Sequence, residues 1–485
     1  MTHDEPREWG NHIGGEWTAC TTGRTFESRD PASGALVGHF AASEAADVAA
    51  AVAAAAAGSP GWRRTPAPRR GEILYRFGSL LADSRERLAR AMTAEMGKVL
   101  AEARGDVQEG IDIAFLMAGE GRRLFGDTVP SELPEKWAMS VREPLGVAGL
   151  ITPWNFPVAI PLWKLMPALV SGNCAVLKPA SDTAHCAALV MELLVEAGFP
   201  PGVANLVTGS GEEAGMALVE DRDVPVISFT GNGATGRAIA QVVAARGKRL
   251  SMELGGKNGI VVLADADLDL AIDNIIWSAF GTTGQRCTAC SRVIVEERIA
   301  DELVARLAAR AEALRLGSGL DPATDVGPLI SAAAVDQTAR YVALGRDGGA
   351  TVVTGGERAR VDGLPQGHFF TPTIMDRVDP MSRLGQEEVF GPLLSIIRVP
   401  DYDAAVMALN GVRYGLSASI FTRDTNTAFR AMRDFDTGIV YVNAGTIGGE
   451  THLPFGGAKS TGNGHREAGH AALDTFTEWK AIYVD

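Results

Sequence analysis

Cys287 lies in the segment GTTGQRCTAC, residues 281–290, where small and flexible residues surround a thiol. Glycines let a ligand approach the backbone closely, and small neighbours leave a thiol accessible. A cysteine reacts as its thiolate, whose negative charge the adjacent Arg286 could stabilise. A buried structural thiol is the commoner role of a free cysteine. The rest of the chain therefore has to decide between a catalytic and a structural thiol.

A second candidate is GNGATG, residues 231–236, which matches G-x-G-x-x-G between a predicted strand and a predicted helix. There, glycines admit a pyrophosphate and the helix N-terminus favours its negative charge. An ordinary glycine-rich turn fits this pattern equally well. A dinucleotide site also expects an acid about 20 residues further on, close to Glu253. Three interpretations of Glu253 are therefore open: a ribose ligand, a catalytic base or a solvated residue at a strand end.

Other polar residues follow predicted strands, and each is a weak signal by itself. Asn155 in TPWNFP is a rigidly presented carboxamide suited to stabilise an oxyanion, although a turn residue is the simpler interpretation. Lys178 ends AVLKP and could reach a ribose or phosphate, or could be a surface lysine. EEVFGP, residues 387–392, carries two carboxylates that are either functional or solvated.

Composition excludes several classes of protein. With 485 residues the chain is long enough for more than one domain. It has 45 basic and 59 acidic residues, and the net charge of −14 argues against nucleic acid or an anionic membrane as a partner. The opening MTHDEPREWG is too charged for a signal peptide, and no apolar run is long enough for a membrane span. The spacing of the five cysteines indicates no disulfide framework. We expect a cytoplasmic protein with free thiols and no bound metal.

The first part of the chain is predicted to be mainly helical. Short strands and turns over residues 11–40 precede a helix from Ser43 to Gly58. Helical periodicity then runs over residues 70–96 and 99–125. Residues 126–143 lose this period and are predicted to form an extended arm.

Strands and helices alternate from Gly146 onward, which predicts βαβ units and a doubly wound parallel sheet. A second alternating series begins at Asn258 and predicts another α/β domain. Residues 472–484 are predicted to be extended and to pair with the arm.

Seven motifs, taken in order across nearly the whole chain, resemble those of the aldehyde dehydrogenase superfamily. They are TPWNFP, KPA, FTG–G, ELGGK, GQRC, EEVFGP and PFGG. The 34-residue gap from Glu253 to Cys287 matches as well. The resemblance implies an α/β protein with a Rossmann-like cofactor domain (1–125 and 145–254), an α/β catalytic domain (255–468) and a small β oligomerisation arm (126–144 and 469–485). It also implies NAD or NADP as cofactor, a small-molecule aldehyde as substrate, and a homodimer or homotetramer.

The resemblance also assigns roles to residues. It makes Cys287 the nucleophile, Glu253 the general base and Asn155 the oxyanion donor, and gives the ribose contacts to Lys178 and Glu388. The full set expected to bind the cofactor is Thr152, Pro153, Trp154, Lys178, Ser181, Thr230, Gly231, Asn232, Gly236, Leu254, Glu388 and Phe390.

Departures from the family pattern affect the cofactor site. Asn232 stands where the family usually has the serine of FTGS, which removes one expected phosphate contact. Ser181 stands where NAD-selective members often have a glutamate that would repel a 2′-phosphate, so we expect NADP to be accepted. Cys290 has no assigned role. A packing thiol is the simpler interpretation than a redox partner of Cys287.

The substrate is expected to be a carboxylate-bearing semialdehyde. One set of segments resembles the antiquitin-like group, which oxidises α-aminoadipic semialdehyde: GDVQEGIDI, the arginine before the nucleophile and TGNGHREAG. Another set looks equally like α-ketoglutarate semialdehyde dehydrogenases: AGEGRRLFGD and PWNFPVAIPLWK. In the first interpretation Glu109 meets the substrate amine beside Arg286, and the substrate carboxylate meets the Gly448–Gly449 backbone. Glu109 could instead be a helix-surface salt-bridge partner. The expected substrate residues are Glu109, Phe156, Arg286, Gly448, Gly449 and Phe455.

Three further hypotheses are a broad-range aldehyde dehydrogenase, a CoA-acylating relative and an inactive family member with a structural or binding role. The CoA-acylating relatives typically lack the ELGGK glutamate, which this chain keeps as Glu253. An inactive member would have no need to keep Cys287, Glu253 and Asn155 together.

Overall fold

A computed structural model describes residues 7–485 of the chain. The first six residues, where the predicted cofactor domain and the charged opening segment begin, lie outside the described residues. The elements that follow them are β1 (Arg7–Trp9), β2 (Asn11–Ile13), β3 (Glu16–Thr18), β4 (Thr25–Arg29), β5 (Leu36–Ala41), α1 (Ala45–Arg64), α2 (Ala67–Asp83), α3 (Arg85–Met96) and α4 (Leu100–Glu120).

The middle of the chain alternates between strands and helices after an initial pair of strands. Its elements are β6 (Thr128–Pro130), β7 (Trp137–Pro144), β8 (Val147–Ile151), α5 (Ala159–Val170), β9 (Cys174–Lys178), α6 (Ala184–Glu196), β10 (Ala204–Leu206), α7 (Met216–Glu220), β11 (Val226–Thr230), α8 (Gly233–Ala245) and β12 (Arg249–Glu253).

A second alternating series completes the chain. Its elements are β13 (Gly259–Val262), α9 (Leu268–Phe280), β14 (Arg292–Glu296), α10 (Glu297–Glu312), α11 (Ala332–Asp347), β15 (Thr351–Thr354), β16 (Thr373–Asp376), α12 (Arg383–Gln386), β17 (Leu393–Val399), α13 (Tyr402–Asn410), β18 (Tyr414–Gly415), β19 (Ser417–Phe421), α14 (Thr425–Asp434), β20 (Ile439–Val442), β21 (Ala458–Lys459), α15 (Ala472–Phe476) and β22 (Thr477–Val484).

The first alternating series builds a sheet of order β12-β11-β8-β9-β10-β2-β3, in which β12 to β10 run parallel. Strands β8 and β9 are buried along their whole length, which explains their nearly continuous apolar sequences. Helices α1 to α6 and α8 contribute to the same hydrophobic core. The predicted doubly wound parallel arrangement is confirmed for this part of the chain.

The second series builds a sheet of order β15-β16-β17-β14-β13-β19-β20. Its central strands alternate between two cores: Ile260 and Val262 face one, whereas Val261 faces the other. Both faces are therefore covered, as expected for parallel strands between helices. The predicted mixed α/β fold class is correct for both sheets.

Helix α1 differs from its predicted bounds at both ends. It begins at Ala45, because Glu44 rather than Ser43 is its N-cap. It runs past Gly58 to Arg64. Gly58 does not end the helix but allows close packing, since a Cβ there would lie 3.3 Å from the Gly202 carbonyl carbon. The added turn is anchored by the buried Trp62, whose Nε1 donates to the Leu169 carbonyl (3.0 Å).

Two other predicted boundaries are wrong for local reasons. The helical period over residues 70–96 is broken at Ser84 (φ −93°, ψ 4°), so α2 and α3 are separate helices that an apolar pattern cannot distinguish from one. The C-terminal tail begins with the short helix α15 rather than a strand. Leu473 and Phe476, three residues apart, both enter the first core and hold this turn in helical form.

The predicted pairing of the C-terminal tail with the arm is confirmed. β22 pairs antiparallel with β7 along its full length, from Thr477 opposite Pro144 to Val484 opposite Trp137, and β6 pairs with the other edge of β7. The resulting sheet exposes large apolar side chains, among them Trp137, Trp479 and Tyr483.

Within residues 7–485, the structure contains no helix that is long and apolar enough to cross a membrane.

Candidate active site

Four of the predicted motifs follow neighbouring parallel strands and therefore meet at one edge of the first sheet. TPWNFP continues β8, Lys178 ends β9, Thr230 ends β11 and Glu253 ends β12. The strand register aligns them, because Ile151 pairs with Lys178 and Thr230 with Glu253. Ligands of open α/β sheets bind outside the carboxyl ends of the strands. The sheet thus brings these predicted cofactor and catalytic residues to one crevice.

Cys287 lies on a loop between α9 and β14. Its carbonyl oxygen accepts a hydrogen bond from Asn258 Nδ2 (2.7 Å), which fixes the loop to the start of the second sheet. The side chain keeps part of its surface exposed, whereas Cys290 is buried and its Sγ donates to the Arg292 carbonyl (3.3 Å). Burial, together with the carboxylates of Glu388 and Glu253, raises the pKa of the Cys287 thiol to about 12.

The structure corrects the expected role of Arg286 as a thiolate-stabilising charge. Its Nη2 donates to Glu102 Oε1 (3.1 Å) and its Nε to Thr282 Oγ1 (2.9 Å), so Glu102 neutralises the guanidinium. The guanidinium carbon also lies 5.3 Å from the Trp277 ring centre and 5.5 Å from that of Phe156. Arg286 is thus held between aromatic rings beside the nucleophile loop, whereas burial and nearby carboxylates raise the pKa of the thiol.

Asn155 lies directly against the nucleophile loop. Its Nδ2 donates to the Gln285 carbonyl (3.0 Å), two residues before Cys287, and the side chain is buried. An amide nitrogen has two hydrogens. One is used to fix the amide against the loop, and the second is a further potential donor.

Glu253 is buried at the end of β12. Among residues 7–485, neither carboxylate oxygen has a hydrogen bond of good geometry, although the nearby Gly457 N–H slightly favours the ionised form. Burial and the neighbouring Glu467 raise the pKa of Glu253 well above its ordinary value, against the opposing charges of Lys164 and Arg466. Glu467 itself pairs with Lys164, and both side chains are buried. The surroundings of Glu253 thus favour the neutral form of its carboxyl group more than water would.

The glycines of the turn after β11 allow close packing around the start of α8. A Cβ at Gly236 would lie 2.6 Å from Leu254 Cδ2, so only glycine allows α8 to lie this close to the residue after Glu253. Gly231 is equally confined, with Phe229 Cζ 2.6 Å from the position of a Cβ. Asn232, which replaces the expected serine, caps α8 through Oδ1, which accepts from the Thr235 N–H (2.9 Å).

Lys178 and Ser181 lie together on the neighbouring strand end and turn. Burial lowers the pKa of Lys178 to about 8, and the nearby Asp182 carboxylate partly offsets this. Ser181 Oγ donates to the Gly209 carbonyl (2.9 Å). A buried amine beside a serine fits a sugar or phosphate, and nothing acidic occupies position 181 itself.

Glu388 and the aromatic residues of the expected cofactor set lie on the nucleophile side. Glu388 Oε1 accepts from the Gly256 N–H (3.1 Å), and burial raises its pKa to about 7. Phe390 adopts a left-handed backbone (φ 58°) and its ring meets that of Trp154 edge-on at 5.6 Å. Thr152, before Pro153, is buried and its N–H donates to the Lys178 carbonyl (3.2 Å).

Glu109 lies on α4 near the nucleophile loop. Burial and the Asp106 carboxylate raise the pKa of Glu109 to about 8, although the Lys98 and Arg286 charges oppose this. Tyr441 is close enough to Cys287 and to Glu109 for both charges to raise its own pKa, which burial brings to about 12. No ion pair of Glu109 is found within residues 7–485, so a helix-surface salt bridge does not explain it.

Of the remaining predicted substrate residues, Phe455 and Gly449 lie together beside Trp163, and these three residues form an aromatic wall. The Phe455 and Trp163 rings meet edge-on at 5.0 Å. Gly449 packs against Phe455, because a Cβ on Gly449 would lie 3.3 Å from Phe455 Cδ2. Gly448 has a positive φ of 100°, and no other group lies within 4 Å of the position that a Cβ would take. Phe156 lies apart from this wall, under the Lys98 amine at 4.0 Å.

Several residues of the site have no sequence signal that singles them out. They are Glu102, Lys164, Tyr441, Glu467 and the buried Lys257 of ELGGK. Lys257 belongs to the ELGGK motif, which by itself indicates no role for the lysine. Its amine has no hydrogen-bond partner in the described part of the chain, and burial lowers its pKa to about 7. Only the pairing of distant segments reveals these residues.

Comparison with known proteins is consistent with this site. Residues 17–482 match the profile of the Aldehyde dehydrogenase family. The chain is 43% identical to an α-ketoglutarate semialdehyde dehydrogenase of Haloferax volcanii, covering 98% of both chains, and 40% identical to an α-ketoglutaric semialdehyde dehydrogenase of Bacillus subtilis, covering 99% of both. A crystal structure of betaine aldehyde dehydrogenase from Staphylococcus aureus with NAD+ superimposes with a TM-score of 0.96 at 32% identity, covering 98% of this chain and 94% of that one.

Proposed function

The chain belongs to the aldehyde dehydrogenase family, and from this premise we propose that it oxidises α-ketoglutarate semialdehyde to α-ketoglutarate with NAD or NADP. It is an NAD(P)-dependent oxidoreductase that acts on an aldehyde. The observation that carries the proposal is the convergence of Cys287, Asn155 and Glu253 on one crevice.

The residues around that crevice fit a nicotinamide dinucleotide. Gly231 and Gly236 let the turn and the start of α8 pack closely against Phe229 and Leu254, and the N-terminus of α8 would favour the charge of a pyrophosphate. Lys178 and Glu388 would hold the two riboses. Burial shifts the pKa of each side chain towards neutrality, so each has a polar group that a sugar hydroxyl could contact. When bound, the oxidised nicotinamide supplies the acceptor for the hydride that leaves the substrate carbon.

The chain's own residues perform the remaining steps. Cys287 Sγ, once deprotonated, adds to the aldehyde carbon and forms a carbon–sulfur bond. The free hydrogen of the Asn155 amide and the Cys287 N–H stabilise the oxyanion. After oxidation the acyl group remains on sulfur as a thioester. Glu253 then removes a proton from water, whose oxygen attacks the thioester and releases the acid and the thiol.

The state of Glu109 favours the keto-acid over the amino-acid substrate. With a pKa of about 8, Glu109 is mostly neutral at pH 7 and has a hydrogen to donate. A neutral acid can donate to the keto or carboxylate oxygen of α-ketoglutarate semialdehyde, whereas pairing with an ammonium needs the ionised form. The names of two similar proteins point to the same substrate. The α-aminoadipic alternative thus has less support, and it gives a distinct result in the experiment below.

We expect Glu109→Gln to discriminate among three substrates. Glutamine keeps a hydrogen-bond donor but cannot become negative, so kcat/KM for α-ketoglutarate semialdehyde and for a plain aliphatic aldehyde should change less than about threefold. If α-aminoadipic semialdehyde were the natural substrate, its kcat/KM should instead fall more than tenfold, because a charge-assisted hydrogen bond is worth about 1.5–3 kcal/mol. Steady-state kinetics with all three substrates decides, with the exposed Glu86→Gln on α3 as control. A loss of more than threefold that is equal for all three substrates would make Glu109 a structural residue.

The same variant tests the ionisation of Glu109 through pH. The groups facing Glu109 are Asp106, Asp112, Lys98, Arg286 and Tyr441. Because the pKa is raised to about 8, Glu109 is neutral below that pH and becomes negative above it. The KM for α-ketoglutarate semialdehyde should therefore rise about fivefold, ~1 kcal/mol, between pH 7 and pH 9 in the wild type. It should stay flat in Glu109→Gln.

We expect NADP to be used within about tenfold of NAD, a difference of at most ~1.4 kcal/mol. Ser181 offers no charge to repel a 2′-phosphate. Ser181→Glu should therefore raise the KM for NADP selectively, and the uncharged Ser181→Gln should serve as the size-matched control. If both cofactors lost affinity equally in Ser181→Glu, residue 181 would not lie near the 2′ position.

The exposed apolar side chains of the β22–β7–β6 sheet support the further proposal that it joins copies of this chain into a homodimer or homotetramer.

A further inference from the structure

Glu102, near the start of α4, makes an unusual number of contacts to the loop that carries Cys287. Its carboxylate accepts the Thr282 N–H at 2.8 and 2.9 Å, the Thr282 hydroxyl at 3.1 Å and Arg286 Nη2 at 3.1 Å. Its side chain is only 2% exposed. Glycine at 281 allows this approach, because a Cβ there would lie 2.9 Å from Glu102 Oε1. A buried carboxylate from a distant helix thus binds both the backbone and the side chains of the loop.

The part of the loop that Glu102 binds has a strained backbone. Thr282 and Thr283 both lie in the left-handed region, with φ of 49° and 57°. Threonine is β-branched and adopts this region rarely, since its Cβ substituents crowd the backbone. Such a conformation persists only where surrounding contacts impose it. The four hydrogen bonds to Glu102, together with the bond from Thr283 Oγ1 to the Gly327 carbonyl (2.9 Å), are contacts of this kind.

The strained turn is linked to the reacting groups through Gln285. The Gln285 N–H and Nε2 both donate to the Thr282 carbonyl, at 3.0 and 3.2 Å. The Gln285 carbonyl in turn accepts the Asn155 amide at 3.0 Å. A shift of Thr282 would therefore move Gln285, the amide of Asn155 and the backbone that leads to Cys287.

We infer that Glu102 is a positioning residue that holds the nucleophile loop in its strained conformation and so presents Cys287 to the aldehyde. This inference rests on the proposed nucleophilic role of Cys287. Glu102 contacts neither substrate nor cofactor in this role; it acts through Thr282 and Arg286. Glutamine at this position would keep one acceptor oxygen but lose the charge and turn a donor toward the Thr282 N–H.

The test measures the thiol directly as well as turnover. In Glu102→Gln we expect the rate of Cys287 alkylation by iodoacetamide at pH 8, followed by mass of the labelled peptide without cofactor, to fall about tenfold. The kcat should fall by a similar factor, whereas the KM for the aldehyde should change less than threefold. The exposed Asp83→Asn at the end of α2 should leave all three unchanged. If Glu102→Gln does not fold, Glu102→Asp, which keeps the charge but shortens the side chain, replaces it with the same expectations.

A rescue experiment separates positioning from general loss of structure. Glycine adopts the left-handed region without strain. Adding Thr282→Gly to Glu102→Gln should therefore raise the alkylation rate at least threefold above that of Glu102→Gln alone. An alkylation rate in Glu102→Gln that is unchanged or faster, or the absence of rescue, would overturn the inference. These outcomes leave the nucleophilic role of Cys287 intact, because that role fails only if a Cys287 variant keeps its activity.

Discussion

Cys287→Ala is expected to abolish aldehyde oxidation, lowering kcat by a factor on the order of 10⁴ or more, because no thioester can form without the thiol. The affinity for NAD or NADP should survive, since the predicted cofactor contacts lie on other residues. The assay combines aldehyde and cofactor without CoA and follows the reduced cofactor by absorbance, while fluorescence quenching follows cofactor binding. The wild type should turn over in this mixture, which separates it from an inactive member and from a CoA-acylating enzyme.

Cys290→Ala is the matched control for this experiment. Cys290 is buried and its Sγ donates to the Arg292 carbonyl, so its removal should leave turnover within about threefold. If Cys287→Ala kept its activity, or if Cys290→Ala lost it instead, the nucleophile would have been assigned to the wrong thiol.

Glu253→Gln is expected to separate the two halves of the reaction. The thioester should still form and give a burst of reduced cofactor equal to the enzyme concentration, but its hydrolysis should slow by a factor of about 10²–10⁴ without a base. Stopped-flow absorbance resolves the burst from the slow phase. A variant that instead lost cofactor affinity and kept its kcat would make Glu253 a ribose ligand.

The raised pKa of Glu253 also predicts how the wild type responds to pH. A base acts only when deprotonated, and Glu253 is protonated until the pH exceeds a pKa that burial and Glu467 raise well above the ordinary value. The Cys287 thiol is likewise mostly protonated at neutral pH. We therefore expect kcat to rise with pH on the alkaline side of neutrality.

Much of the fold could be predicted because it depends on local patterns. The apolar runs of β8, β9 and β11 are continuous, so their burial and parallel pairing follow from sequence. The break between α2 and α3 at Ser84 could not be predicted, because one residue between helices leaves the apolar period almost unchanged. The overrun of α1 past Gly58 depends on packing against a turn near residue 202, which no local pattern records.

The candidate site divides in the same way. The strand ends and the glycine-rich turn mark Lys178, Gly231 and Glu253 in the sequence itself. Arg286 could be noticed beside Cys287, but its partner Glu102 is 184 residues away, and the pKa of the thiol is raised by burial and by carboxylates from other distant segments. The pKa values of Glu109 and Glu253 depend on burial and on neighbours from distant segments, so residue type alone could not indicate their direction.

The most direct test of covalent catalysis is to trap the intermediate. Glu253→Gln is mixed with NAD and α-ketoglutarate semialdehyde, quenched in acid within the burst, and digested for peptide mass analysis. We predict that the peptide containing Cys287 gains the mass of the α-ketoglutaryl group in about one copy per active site, and that Cys287→Ala in the same background shows no such gain. Reduced cofactor formed without an acyl group on Cys287, or an acyl group found on Cys290, would contradict this prediction.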